Sequence, residues 1–336
     1  MGTDSHASPV SGRGGLVRPF WHEVLAGTNV GLFLAFVALV IAFGAISRAF
    51  LSIPNIINIA QTLAIVGIVA AGEALVVIHG GFDLSVGAIA ALTGVTIGVL
   101  FDNHILPIWP ATLAGVLAGM LVGFVNGLIV TRLRINPIIT TLGTLSIARG
   151  LAFVLTGGQT NQLNVESFKF VGRGAIGMIP VPLLIMLGIY ATLYVVLGHS
   201  SFGRNIYAVG GSPEAARLAG IDVNRVRIAA YLISGLLAAV GGVILAAQLA
   251  ASFPKAATGL EMMAFAAVVL GGCSLGGGKG TIEGTFLGVL LLRVLDNGLI
   301  IANVSSYYQE VARGLVLLLA VGLDQVRARR LQMKRG

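Results

Sequence analysis

Two carboxylates stand out because the sequence around them is almost wholly apolar. Glu73 lies in the middle of a predicted membrane span, and Asp83 lies in the short Gly80–Gly87 segment between two spans. An ionisable group in such a position is a functional-site candidate by default. Glu73 can accept a hydrogen bond from a solute hydroxyl, carry a proton, or pair with Arg149 of the fifth predicted span. Asp83, followed by Ser85, can also cap the next helix.

Other patterns exclude several classes of site. The Gly276–Thr281 run contains a Gly-Lys pair, but a phosphate-binding P-loop needs glycine where Cys273 stands and Ser or Thr where Gly280 stands. No spacing predicts a catalytic triad or a metal site, and the single cysteine allows no disulfide within the chain. The sequence therefore predicts no enzyme, and no metal or cofactor site, in this chain.

A long polar segment at about residues 198–227 interrupts the apolar second half of the chain. We expect residues 212–224 to include a short helix, with Ser212 as its cap and Pro213 as its first residue. Gly220 then marks a sharp turn or a close backbone approach. Such a segment suits docking of a soluble partner, against which small alanines would pack. The predicted docking residues are Glu214, Ala215, Ala216, Arg217 and Gly220.

The composition identifies the elements that must hold these residues. Of 336 residues, 56% are hydrophobic and 10% are charged, whereas soluble domains carry about 25% charged residues. The chain is therefore predicted to be an all-α, polytopic membrane protein of about ten transmembrane helices. The predicted spans are Asn29–Ile46, Gln61–Ile78, Leu84–Phe101, Trp109–Val130, Pro137–Leu155, Val181–Leu197, Ile228–Ala250, Met262–Leu270, Thr285–Ile301 and Val311–Val326.

The charge pattern predicts how these spans are oriented. Residues 1–28 and the basic residues 327–336 are expected to be cytoplasmic tails on either side of a transmembrane domain at 29–326. Most Lys and Arg residues between spans then fall on the cytoplasmic side, as the positive-inside rule requires.

Glycine patterns predict close packing of these spans. Two rows of glycines at a spacing of four residues, in Gly115–Gly127 and Gly280–Gly288, let neighbouring helices approach closely. The motif at 80–84 partly recurs at 271–275, which is consistent with duplicated halves.

Several stretches together resemble the permeases of ribose-type sugar importers. They are GGFDLSVGAIAALTG at 80–94, NGLIVTRLRINPIITTLGT at 126–144, EAARLAGIDV at 214–223 and AAVVLGGCSLGGGKGTIEGT at 266–285, followed by DNGL and SSYYQ. The segment at 214–223 resembles the EAA coupling loop of importer permeases. Cys273 departs from the small hydroxylated residue usual in the family.

This resemblance implies an ATP-binding cassette importer in a bacterial inner membrane. This chain would be its permease bundle. It would pair with a second permease subunit, expected to be an identical copy, and with two ATP-binding subunits or one fused double ATPase. A periplasmic binding protein would deliver a ribose- or xylose-like sugar or a polyol, and ATP would be bound only by the partner. A hydroxyl-rich solute needs donors and acceptors along its path. The pathway candidates are Glu73, Asp83, Asn126, Thr140, Thr141 and Asn297.

Two alternatives remain open at the level of the sequence. A branched-chain amino-acid permease of the same superfamily would have to handle a charged substrate. A proton-coupled secondary transporter would use Glu73 or Asp83 as the proton carrier and would not need the polar docking segment. No nucleic-acid partner is indicated.

Overall fold

The computed structural model describes residues 29–333, and these residues are mostly helical. Their strands are short: β1 (Asn161–Gln162) pairs with β4 (Ala251–Ser252), and β2 (Ala175–Ile176) pairs with β3 (Ile179–Pro180), both antiparallel. The helices are α1 (Asn29–Ile46), α2 (Ile53–Ile78), α3 (Val86–Asp102), α4 (Ile108–Leu128), α5 (Pro137–Thr156), α6 (Glu166–Arg173), α7 (Val181–His199), α8 (Ser201–Gly211), α9 (Pro213–Leu218), α10 (Val223–Leu249), α11 (Leu260–Leu270), α12 (Ile282–Ile301) and α13 (Ser306–Met333).

The helices follow the predicted spans, with differences at their ends. α2 begins at Ile53 rather than at residue 61, and a proline lies in its first turn, where proline suits a helix start. α4 continues through a π-helical turn at Ile129–Leu133. α13 extends to Met333, into the predicted C-terminal tail. The predicted N-terminal tail, residues 1–28, lies outside the described residues, as do residues 334–336.

Six helices of the described chain are long and apolar enough to cross a membrane: α2, α4 with its π turn, α5, α7, α10 and α12. Three shorter helices, α1, α3 and α11, are also apolar. α11 has 11 residues and is about 16 Å long, roughly half of a hydrocarbon core of about 30 Å. The all-α membrane architecture is confirmed, and the count of ten spans stays a prediction.

The centre of the bundle is formed by α2 and α10. Residues 63–78 of α2 are all buried, as expected for a helix that is apolar on every side. α10 packs against α2, α3 and α4, and α12 packs against α1, α2 and α11. By contrast, α4, α5 and α7 leave many large apolar side chains exposed. In a membrane protein, an exposed apolar surface of this kind can lie against lipid or against another membrane subunit.

The glycine rows serve helix packing, as predicted. The row on α4 lies against α3 and α10, and a Cβ on Gly123 would stand 2.9 Å from the Cα of Gly235. Gly284 and Gly288 on α12 lie even closer to the backbone at the end of α11, at Gly271 and Ala267. Side chains at these positions would push the helices apart. Gly280 departs from the prediction, because it lies in the loop before α12, with φ of +148°, and packs against Cys273.

Candidate functional site

The chain between α2 and α3 doubles back along α2. Gly80, with φ of +85°, makes the turn, a conformation that glycine adopts at little cost. The return path brings Asp83 beside Glu73, whose Oε1 accepts a hydrogen bond from the Asp83 backbone N–H at 3.2 Å. Both side chains are buried, with exposed fractions of 0% and 1%. The two carboxylates singled out from the sequence therefore share one buried site.

Asp83 is the centre of a hydrogen-bond network that joins four helices. Its Oδ1 accepts from the backbone N–H of Ser85 at 3.1 Å and from the Ser85 hydroxyl at 2.5 Å. Its Oδ2 accepts from the Ser234 hydroxyl on α10 at 3.0 Å. Asn126 on α4 donates from Nδ2 to the Ser85 Oγ at 2.9 Å. We call Glu73, Asp83, Ser85, Asn126 and Ser234 the carboxylate cluster.

The capping role predicted for Asp83 holds only in part. The carboxylate closes a turn just before α3, because it accepts from the backbone N–H two residues later. Ser85 is the cap residue of α3, and its side chain makes no capping hydrogen bond there. The Asp83 carboxylate also reaches across to α10. Asp83 therefore does more than start a helix.

The carboxylate cluster contains polar atoms without a partner among the described residues. Glu73 Oε2 and Asn126 Oδ1 are buried and accept no hydrogen bond. A buried acceptor left unpaired costs about 1–3 kcal/mol. Both atoms therefore keep the capacity to accept a hydrogen bond.

The other pathway candidates lie apart from this network. Thr141 donates to the carbonyl of Pro137 in its own helix at 2.9 Å, and the buried Thr140 hydroxyl has no partner among the described residues. Asn297 exchanges two hydrogen bonds of 2.8 Å with Asn55. The structure thus joins Glu73, Asp83 and Asn126 in one network. It shows no hydrogen bond from Thr140, Thr141 or Asn297 to the carboxylate cluster.

The proposed pairing of Glu73 with Arg149 is wrong. Arg149 instead donates from Nη1 to the carbonyls of Pro254 and Ala256, each at 2.7 Å. The turns before α11 therefore supply the acceptors for this guanidinium.

Four charged residues of α12 and α13 form ion pairs with one another. Asp296 lies 3.3 Å from Arg293 and 3.0 Å from Arg313, and Arg313 also lies 2.9 Å from Glu310. Within residues 29–333, no group of His, Cys, Asp and Glu side chains could hold a metal ion.

Sequence reasoning missed two residues of α10 that contact the doubled-back segment. Ser234 bonds Asp83, and the Tyr231 hydroxyl donates to the carbonyl of Phe82 at 3.2 Å. The two side chains are three residues apart and so share one face of the helix. A polar pair at that spacing within the otherwise apolar stretch 228–247 of α10 was the signal that could have identified them.

The polar segment folds into the helix pair α8–α9, with the predicted cap and turn. The Ser212 hydroxyl accepts from the backbone N–H of Ala215 at 3.2 Å, and Pro213 is in the first turn of α9. Gly220, with φ of +81°, ends the helix. Ala216 is 3% exposed, so packing within this chain, rather than a partner, explains its small size. Glu214, Ala215 and Arg217 are exposed.

One strongly exposed apolar residue was not anticipated in this segment. Leu218, the last residue of α9, is 92% exposed. An exposed leucine alone is ordinary. Here it stands beside the exposed Ala215 and Arg217 of α9. These residues form a small mixed surface, which we call the α9 tip.

α8 packs directly on the place where two glycine loops meet. The backbone N–H of Gly278 donates to the carbonyl of Ile78 at 2.8 Å, which joins the loop after α11 to the end of α2. A Cβ on Gly210 of α8 would overlap both of these groups, and Tyr207 donates to the carbonyl of Gly280 at 2.8 Å. The partly repeated motifs at 80–84 and 271–275 thus lie in the loops after α2 and α11. These two loops touch each other.

Comparisons with known proteins agree on one kind of protein. A family model described as "Branched-chain amino acid transport system / permease component" matches residues 55–321. The ribose import permease protein RbsC of Bacillus subtilis is 41% identical over 88% of this chain and 92% of its own length. The protein of the same name from Escherichia coli strain K12 is 39% identical, over 87% and 92%. The L-arabinose transport system permease protein AraH of E. coli is 36% identical, over 88% and 90%. No solved structure matches the chain.

Proposed function

The chain belongs to the branched-chain amino acid transport system / permease component family. Within this family, we propose that it carries a small monosaccharide across a bacterial inner membrane. It is the membrane-spanning subunit of an ATP-binding cassette importer. The observation that carries the proposal is the similarity, over about nine-tenths of both chains, to permeases named for ribose and arabinose. A neutral pentose or a related polyol is therefore the substrate class, in preference to an amino acid.

The chemistry of the carboxylate cluster supports a hydroxyl-rich solute. Glu73 Oε2 and Asn126 Oδ1 are unpaired acceptors, and a sugar hydroxyl is a donor that can satisfy either one. The cluster ties α2, α3, α4 and α10 together in the closed interior. Opening a path therefore requires these hydrogen bonds to be exchanged for contacts with the solute. We place Glu73, Asp83 and Asn126 on the path, with Thr140, Thr141 and Asn297 as further contacts.

The α9 tip is proposed as the docking point for the ATP-binding subunit. Glu214, Ala215, Arg217 and the turn at Gly220 are exposed, and Leu218 adds an apolar contact that water solvates poorly. Two copies of the permease, each with its own α9 tip, would bind two ATP-binding subunits or one fused double ATPase. ATP is bound by that partner, and both termini of this chain lie in the cytoplasm.

An uptake experiment tests the class of transporter. The permease, reconstituted in proteoliposomes with its ATP-binding subunit and binding protein, should accumulate labelled D-ribose or L-arabinose. Uptake should require ATP and the binding protein, and it should survive a protonophore. Uptake that follows a proton gradient without ATP, and that Glu73→Gln abolishes, would establish the proton-coupled alternative instead.

A second experiment tests the docking point. Leu218→Gln should weaken co-purification of the ATP-binding subunit and reduce uptake, while the permease still inserts into the membrane. The matched control is Leu133→Gln, because Leu133 is also an exposed leucine, at 66%, on the side of the bundle proposed to face the cytoplasm. If both variants retain the ATP-binding subunit equally well, the α9 tip is not where it docks.

A further inference from the structure

Residues 250–259, which we call the closing segment, join the end of α10 to the start of α11. α10 has 27 residues, so its two ends are about 40 Å apart. The α9 tip lies just before the start of α10 and is proposed to face the cytoplasm. The closing segment therefore belongs to the opposite side of the bundle, where a binding protein would deliver a solute.

The closing segment is held by one continuous stretch of chain that runs from α5 to α6. Arg149 of α5 donates from Nη1 to the carbonyls of Pro254 and Ala256, each at 2.7 Å. β1 pairs with β4, which lies inside the closing segment. Arg173 of α6 donates to the carbonyl of Gln248, just before the segment. A movement of α5 and α6 relative to α10 would therefore break all of these contacts together.

The closing segment covers the end of the seam between α3 and α10, two helices that also meet at the carboxylate cluster. A Cβ on Gly98 of α3 would collide with the Ser252 hydroxyl and stand 2.8 Å from the Cβ of Asn161. Both paired strands therefore pack on α3, and Ser252 is only 2% exposed. Further towards the cluster the seam is tight, since a Cβ on Gly242 would overlap the backbone of Ala90. The closing segment thus blocks the outer end of the seam that leads to the cluster.

The backbone of the closing segment is strained, and few contacts hold it. Ala250 and Ala257 have φ of +54° and +56°, in the left-handed region that is unfavourable for residues with a Cβ. Residues held there persist only where surrounding contacts impose the conformation, and they recur in segments that switch. The pairing of β1 with β4 is two residues long. The closing segment therefore has the strain and the short contact region expected of an element with two arrangements.

We propose that the closing segment is the outer closure of the transport path and that it moves off α3 during each transport cycle. Arg149 is the positioning residue that keeps it closed, because its guanidinium bonds two carbonyls of the segment at once. Arg149 touches no part of the carboxylate cluster and acts on the path only through the closing segment. This inference rests on the proposed sugar import and on the proposed orientation.

A reversible lock tests whether the closing segment moves. Leu163 donates from its backbone N–H to the carbonyl of Ala250, so the next pair, Gln162 and Ala251, is a pair without direct hydrogen bonds. The Cα atoms of such a pair are about 4.5 Å apart, within the range that a disulfide spans. Gln162→Cys and Ala251→Cys are combined in a Cys273→Ser permease, which is reconstituted with the ATP-binding subunit and the binding protein.

The matched control combines Ile176→Cys with Ile179→Cys, because these two residues pair in β2 and β3, outside the closing segment. Oxidation should form the disulfide in both importers, as mass spectrometry of the linked peptides verifies. With the disulfide between positions 162 and 251, uptake of D-ribose should fall to the rate without ATP, and dithiothreitol should restore it. The control should transport equally well when oxidised and when reduced. Uptake that continues with the first disulfide formed, or that falls equally in the control, overturns the inference.

Labelling of Ser252→Cys tests the role of Arg149, and it decides the question if the double-cysteine permease does not assemble. In the Cys273→Ser importer, a membrane-impermeant maleimide added from the binding-protein side should label the thiol at position 252 slowly at rest and faster during turnover. Arg149→Gln should make labelling at rest as fast as during turnover. Arg149→Lys, whose ammonium can also donate to both carbonyls, should restore slow labelling.

Two labelling results contradict the inference. Equal labelling rates at rest and during turnover would show that the closing segment does not move. Slow labelling at rest in Arg149→Gln would show that Arg149 does not keep it closed. Failure of the unmodified importer to carry any pentose would instead refute the proposed function itself.

Discussion

Replacing Gly210 with alanine should destabilise the permease, because α8 touches the two glycine loops at this residue. The new methyl group would overlap the carbonyl of Ile78 and the backbone N–H of Gly278, which are hydrogen-bonded to each other at 2.8 Å. Forcing a methyl group into a packed interior costs about 1–3 kcal/mol. Disturbing the hydrogen bond costs a further 0.5–1.5 kcal/mol or so.

One effect acts in the opposite direction. Alanine favours a helix over glycine by about 0.8–1.0 kcal/mol, and Gly210 lies within α8. The net expectation is a loss of about 1–3 kcal/mol of stability. The adjacent Gly211 provides a matched control, since it lies in the same helix and a Cβ there would meet nothing within 4 Å. Gly211→Ala should therefore be neutral or slightly stabilising.

The assay is thermal unfolding of the purified permease in detergent. Unfolding is measured as the loss of the monodisperse peak in size-exclusion chromatography after heating. Gly210→Ala should unfold at a lower temperature than the wild type, and Gly211→Ala should not. In the reconstituted importer, Gly210→Ala should also transport less sugar for each ATP hydrolysed, because α8 connects the α9 tip to the loops. Equal unfolding temperatures for the two variants would refute the packing argument.

Three further predictions concern charge and orientation. Asp83→Asn should insert normally but reduce sugar uptake about tenfold, because hydrogen bonds to a charged acceptor are worth about 1.5–3 kcal/mol each; uptake equal to wild type would leave Asp83 with a structural role only. Arg313→Gln should lower the stability measured by thermal unfolding by about 1–3 kcal/mol, since it removes a partner of the buried Asp296. Glu310→Gln, which touches only the exposed side of Arg313, should change stability by less than about 1 kcal/mol. Reporter fusions near Gly211 and at the C-terminus should both be active in the cytoplasm, and a periplasmic signal at either would contradict the orientation.

Hydropathy and helix signals in the sequence were enough to predict the membrane class and most helices. A helix in lipid must satisfy its own backbone hydrogen bonds, so an apolar run of sufficient length predicts a span whatever its neighbours are. Local residue patterns also predicted where two helices begin. α5 begins at Pro137 and α9 at Pro213, each after a residue that caps the helix. The turn at Gly220 followed from the same local reasoning.

Contacts between distant segments could not be read from the sequence. The pairing of Glu73 with Arg149 was plausible because each is an isolated charge in a span, yet the carbonyls of residues 254 and 256 bind Arg149 instead. Asn297 pairs with Asn55, 242 positions away. Burial of Ala216 depends on how α9 lies against the bundle, which no local pattern encodes.

The tertiary structure alone decided which polar groups share a site. Asp83 reaches Glu73 and Ser234 because the chain reverses at Gly80 and runs back beside α2. Glu261 meets Gly87 because the buried first turns of α3 and α11 converge, although the two residues are far apart in sequence. The sequence determines where a helix can form, since that depends on neighbouring residues. The packing of whole helices determines which side chains face each other, and that depends on the shape of every interface at once.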